Sequence, residues 1–162
     1  MKRILVLVSA VVLSLVASGV SLAKENPFVG TWKLNVAKSK FSGSAKAPQS
    51  ETMTVVAQGD GEKVTYEGVR ADGSQISYSF TTNLDGKDSP ISGTGTPASG
   101  ADTVAVTRVD ANTYTSITKK AGNTLGTTRR VVSKDGKVLT VTGKGMNAQG
   151  QPGSTTTVWD KQ

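Results

Sequence analysis

Three arginines interrupt stretches that otherwise alternate apolar and polar residues: Arg108, Arg129 and Arg130. In a strand, successive side chains point to opposite faces, so alternation sends some of these cations inward and separates the adjacent pair Arg129 and Arg130. An arginine inside a cavity can clamp an anionic group through two parallel hydrogen bonds. Two carboxylate pairs are the other candidates, Asp85 with Asp88 and Asp60 with Glu62, because nearby carboxylates can share a proton or bind a cation. Both pairs sit in turn signals, where local bonding to the backbone is their expected use. The Asp-x-Asn-x-Asp-Gly spacing of a calcium loop is absent. The sequence has no histidine and no cysteine, which removes the commonest general base, the thiol nucleophile and most transition-metal ligand sets. No serine has a recognisable activating partner. The expectation is a protein that is not an enzyme, with no cofactor, no catalytic residue and no metal site.

The elements that must position these residues are strands. Hydrophobic periodicity is two almost throughout, and no stretch of eleven or more residues carries a helical stripe. Candidate strands lie near 30–36, 51–57, 62–70, 74–82, 88–94, 103–110, 113–120, 124–132, 137–146 and 153–160. Between them stand turn signals such as Gly59-Asp60-Gly61, Ala71-Asp72-Gly73, Leu84-Asp85-Gly86 and Lys134-Asp135-Gly136, in which Asp bonds locally and Gly supplies positive φ. Sequential antiparallel neighbours follow. A meander of this length exposes two edges unless it closes, so the expected fold is all-β: an up-and-down antiparallel barrel of about 8–10 strands.

Alternation also assigns faces. Trp32, Leu34 and Val36 share one side, as do Val64 and Tyr66, and Ile76, Tyr78 and Phe80, and these sets are expected inside. Trp32 is expected to pack, with an indole N–H that needs an acceptor. Tyr66, Tyr78, Phe80 and Trp159 are the candidates for lining a cavity, plain core being the alternative for each. Thr113 to Thr118 and Ser154 to Thr157 place hydroxyls on both faces, so the interior is expected to be partly polar. Residues 37–50 are read as a long connection that ends the first strand, and 95–102 as a second.

Residues 1–23 have the pattern of a signal peptide: Lys2 and Arg3 precede the apolar run Ile4 to Val16, and Ser21-Leu22-Ala23 offers small residues for cleavage. The run is short for a retained membrane anchor, and a lipoprotein would need a cysteine after the cut. The expectation is an exported protein, periplasmic or secreted, with one domain over residues 24–162. Setting Lys2 and Arg3 aside, 17 basic residues stand against 12 acidic ones, a net charge of +5. The lysines are scattered among acids with no basic stripe interleaved with aromatics, so no nucleic-acid partner is expected. Charges at Lys33, Lys63 and Glu67 on outward faces argue against stable insertion in a membrane.

The stretch "NPFVGTWKLNVAKSKF" resembles the opening of the calycin group, the lipocalins and fatty-acid-binding proteins, whose first strand carries a Gly-x-Trp motif; "ISYSFTTNLDG" and "DGKVLTVTGKG…TTTVWDKQ" are similar to that group's central and last strands. It also resembles the short exported lipocalin-like proteins of bacteria. The resemblance implies a barrel, monomeric in expectation, with a cavity for small hydrophobic or amphipathic molecules. It implies too that Gly30, Trp32 and an arginine stacked across the indole close one end, a part given to Arg129. Counting back from Lys144-Gly145, it puts Arg130 where the group has one carboxylate-binding arginine. The group's closing Arg-x-Tyr falls here on Thr157 and Trp159, so the paired clamp is not reproduced. Two functions follow: a lipid-binding or other small-molecule-binding barrel, with Arg130, Tyr66, Tyr78, Phe80 and Trp159 at the ligand; or a secreted or envelope-associated interaction module, with a solid barrel and a basic surface facing an anionic partner.

Overall fold

Alternating sequence becomes strand wherever a turn allows the chain to reverse. A computed structural model describes residues 26–95 and 97–162, and the expected leader lies outside them. The strands are β1 (Gly30–Gly43), β2 (Ser50–Gln58), β3 (Gly61–Val69), β4 (Gln75–Thr82), β5 (Asp85–Pro90), β6 (Ser92–Gly93), β7 (Thr103–Asp110), β8 (Thr113–Lys120), β9 (Asn123–Val132), β10 (Val138–Met146) and β11 (Pro152–Lys161). All pairings are antiparallel, in the order β5-β7-β8-β9-β10-β11-β1-β2-β3-β4-β6. The architecture is the all-β, nearly closed barrel expected from the sequence, calycin-like in its meander, and the described residues contain no helix.

The two ends of that order belong to one segment. Residues 85–93, expected as a single strand near 88–94, divide at Ile91. β5 pairs with β7 through Ser89 and Val104, whereas β6 pairs with β4 through Ser92 and Ser79. Pro90 has no N–H to continue a ladder, and the Ile91 N–H still donates to Asp102 O at 2.8 Å on the β7 side. One short segment therefore spans from one sheet edge to the other and leaves the barrel nearly closed. It comes close to β4: a Cβ on Gly93 would lie 2.2 Å from Ser77 O, and its φ of +152° suits glycine.

β1 is longer than the sequence reading allowed. Residues 37–43, assigned there to a connection, continue the strand beyond a wide bulge, in which 36–39 lie opposite the single residue Thr157 of β11. Side chains replace the missing ladder bonds. Asn35 Oδ1 accepts from Lys38 N (3.1 Å), Ser39 Oγ donates to Asn35 O (2.7 Å), and Val158 N donates to Ser39 Oγ (3.0 Å). The three additional residues reverse the face, so that Phe41 points inward where alternation from Trp32 would have pointed it out. Val36, expected inside, is turned out by the same bulge and is 37% exposed.

The strand registers sort inward residues into layers. At one end, Val132, Leu139 and Trp159 share a layer; the next holds Tyr114, Arg130, Val141 and Thr157. Beyond them lie Ser116, Thr128, Gly143 and Thr155, and then Thr118, Gly126, Gly145 and Gly153. Side-chain volume falls steeply along these strands. Large residues fill the first half, including the fully buried Trp32, Phe28, Met53 and Leu139. Glycine and small hydroxyls leave the other half unfilled, because packing at native density requires volume that those residues lack.

Candidate functional site

The packed end is a built floor. Trp32 Nε1 donates to Phe28 O at 2.8 Å, satisfying the buried indole, and the Phe28 ring stacks on Tyr114 at 3.7 Å. Tyr114 donates its hydroxyl to Glu62 Oε1 at 2.7 Å and accepts from Arg108 Nη2 at 3.0 Å, while Asn26 Nδ2 also donates to Glu62. Burial, and then the bond to Glu62, push the Tyr114 phenol up to about 12. The cation over the Trp32 ring is Lys161, 5.1 Å from the centroid, and its Nζ also donates to Pro27 O at 3.2 Å. Gly30 makes room for it, since a Cβ there would stand 2.8 Å from Lys161 Cε.

Gly30 and Trp32 thus sit at the barrel end where the sequence placed them, but Arg129 does not. It lies on the outward side of β9, exposed, because Arg130 and Val132 take the inward parity that the layers impose. Arg108 is the second cation of the floor, 5.5 Å from the Tyr114 ring centroid. Glu62 departs from its turn reading. It is 2% exposed and acts as the acceptor that ties Tyr114 and Asn26 together. Its spacing of two from Val64 and four from Tyr66 was the signal for an inward position. Asp85 does behave as a turn residue, accepting from Lys87 N, and Asp88 pairs with Lys119 at 2.7 Å. Among the described residues, no group of three potential ligands could hold a metal ion.

The unfilled end is a cavity of about 660 Å³. Its mouth is formed by the turns after β1, β3 and β10 and by residues 97–100. Tyr66, Tyr78, Trp159 and Arg130 all line it. Tyr66 and Tyr78 stack at 4.9 Å with an interplanar angle of 19°, and Trp159 meets Tyr66 edge-on at 6.3 Å. Trp159 Nε1 donates to Thr157 Oγ1 at 2.9 Å. Phe80 is not part of the lining. It packs in the core beside its register partner Val64 and is 5% exposed.

Arg130 enters the cavity from β9 beside Tyr66, and its charge draws the phenol down against the stronger, upward effect of burial. Its Nε is buried and has no hydrogen-bond partner, a state that costs free energy unless something fills it. Burial also holds Tyr78 well above the usual phenol range. Two further charged residues line the same space, Glu51 from β2 and Arg70 just beyond β3. Burial raises the Glu51 carboxyl to about 7, although Arg70 draws it down. Neither residue is evident from the sequence, where both fall at strand ends of ordinary composition. The cavity thus joins an aromatic wall to a small group of titratable and cationic side chains, a combination suited to an amphipathic molecule.

No family model matches the sequence, and no curated protein sequence matches it. Among solved structures, the chain is similar to the zebrafish ileal bile acid-binding protein complexed with cholic acid, at 15% identity over 84% of this chain and 99% of that one, with a TM-score of 0.48. It is similar also to a redesigned β-barrel, mFAP1, bound to DFHBI, at 10% identity over 83% of this chain and 95% of that one, with a TM-score of 0.45. Likeness of this degree leaves the contents of the cavity to be argued from its own lining.

Proposed function

We propose that this protein is an exported, non-catalytic barrel that holds a small hydrophobic or amphipathic molecule in its cavity. The observation that carries the reading is the graded interior: packed aromatics at one end, and about 660 Å³ left open at the other beside Tyr66, Tyr78 and Trp159. A solid barrel acting only through its basic surface would not need that space. Burial of an apolar ligand against the aromatic wall supplies the affinity, at about 25 cal/mol per Å² of apolar surface removed from water. Arg130, whose side chain lines the cavity, supplies one polar anchor. The leader-like residues 1–23 support export.

Mass spectrometry of organic extracts from natively purified protein tests the reading. A ligand recovered in stoichiometric amount is expected, and the emptied protein should bind the neutral probe phenylnaphthylamine. An empty extract together with failure to bind that probe overturns the cavity reading. N-terminal sequencing of protein from the extracytoplasmic fraction tests export, with a start at Lys24 as the expected result.

A further inference from the structure

Glu51 is a carboxylate that lines the cavity. It lies on the inward face of β2, opposite Gly68 of β3, which contributes no side chain to cover it. Arg70 and Tyr66 face it from β3 and its end and Tyr78 from β4, while Arg130 enters the same cavity from β9 beside Tyr66; nearer the mouth, Lys46, Asp72 and Lys144 line the same cavity. Two guanidinium groups, Arg70 and Arg130, and one inward carboxylate, Glu51, therefore line one cavity. We propose that Glu51 sets the charge of the ligand head the cavity accepts: ionised, it repels an anionic head and draws on Arg70, and the site takes uncharged amphiphiles; protonated, it lets the positive lining of Arg70 and Arg130 receive an anionic sulfonate, sulfate or phosphate head, which binds with uptake of a proton. This rests on the cavity reading above and adds ligand class and pH response to it.

Linkage gives the direction. A bound anion disfavours ionised Glu51, so the carboxyl holds its proton more tightly in the complex than in the free protein, and anion affinity falls as pH rises through about 7. Tyr66 and Tyr78 are held above the ordinary phenol range and Asp72 below the ordinary carboxylate range, so none of the three changes charge between pH 6 and 8.5.

Anilinonaphthalene sulfonate, ionised throughout that range, and its neutral counterpart phenylnaphthylamine separate the possibilities. Wild-type protein should bind the sulfonate roughly tenfold more weakly at pH 8.5 than at pH 6, since each unit by which the anion raises Glu51 is worth up to tenfold. The neutral probe should show no such slope. Glu51→Gln, with its fold checked by near-ultraviolet circular dichroism, should bind the sulfonate equally at both pH values. Calorimetry of the wild type near pH 7 in two buffers of different ionisation enthalpy gives a reading that needs no variant, and should report proton uptake with the sulfonate alone. A flat sulfonate profile, a slope retained by Glu51→Gln, or no proton uptake overturns this proposal while neutral-probe binding leaves the cavity reading standing. Absence of both probes from the wild type overturns both.

Discussion

Replacing Glu51 by glutamine should stabilise the ligand-free protein at pH 8 and leave it unchanged at pH 4. The folded chain holds this carboxyl at about 7, against an ordinary 4.5. Between those values the native state binds a proton that the unfolded chain has lost, so the slope of unfolding free energy with pH is negative and stability falls as pH rises. The sign is opposite to that of a salt-bridged carboxylate. Burial dominates here, and Arg70 compensates only in part. A shift of that size corresponds to a ceiling of about 3 kcal/mol at pH 8, and water reaching the open cavity brings the expected gain to about 1–3 kcal/mol. Glutamine keeps the shape and removes the charge. Urea denaturation of both proteins, refolded from denaturant to remove any carried ligand, would be followed at pH 4, 6 and 8, taking the difference between them so that other titrating groups cancel. A difference that does not grow with pH, or a variant less stable than wild type at pH 8, would refute the assignment of Glu51 to a desolvated interior.

The two tryptophans report on opposite halves of the barrel: Trp32 is sealed in the floor and Trp159 lines the cavity. In Trp32→Phe, ligand addition should shift or quench the remaining emission, whereas in Trp159→Phe it should leave emission nearly unchanged; the reverse pattern would place the ligand elsewhere. Tyr114→Phe removes the donor to Glu62 and the acceptor for Arg108 without changing the ring stacked on Phe28. It should cost about 1–3 kcal/mol in a denaturant melt, as expected when a buried charged group loses a hydrogen-bond partner. Loss of cavity binding alongside unchanged stability would contradict a purely structural floor.

The strand bounds were largely legible because period-two alternation and Asp-Gly turns act locally, and 103–110 and 113–120 were legible to the residue. The bulge in β1 was not. Ser, Lys and Ala from 37 to 40 look like a connection by composition, and it is Asn35 and Ser39, bonding to Asp160 and Val158 of β11, with the ladder resumed at Lys40, that keep them in the strand. Arg130 and Arg129 were known to face opposite ways, but parity alone does not say which way. The register with Leu139 and Trp159 decides it. Lys161 is nearly the last residue of the chain and carries no local sign that it lies above Trp32.

Taken alone, the sequence determined that the chain is an antiparallel meander with an aromatic plug near Trp32 and without the side chains most used for catalysis, since those properties depend on composition and on neighbours a few residues apart. The tertiary structure decided that the barrel is packed at one end and open at the other, that Glu51 and Arg70 meet Arg130 and Tyr66 there, and that Phe80 does not. Those outcomes depend on the row each inward residue enters and on where the tilt of its strand carries it along the barrel. That row is fixed by strand registers between residues as distant as Leu34 and Trp159, together with a three-residue bulge that reverses a face.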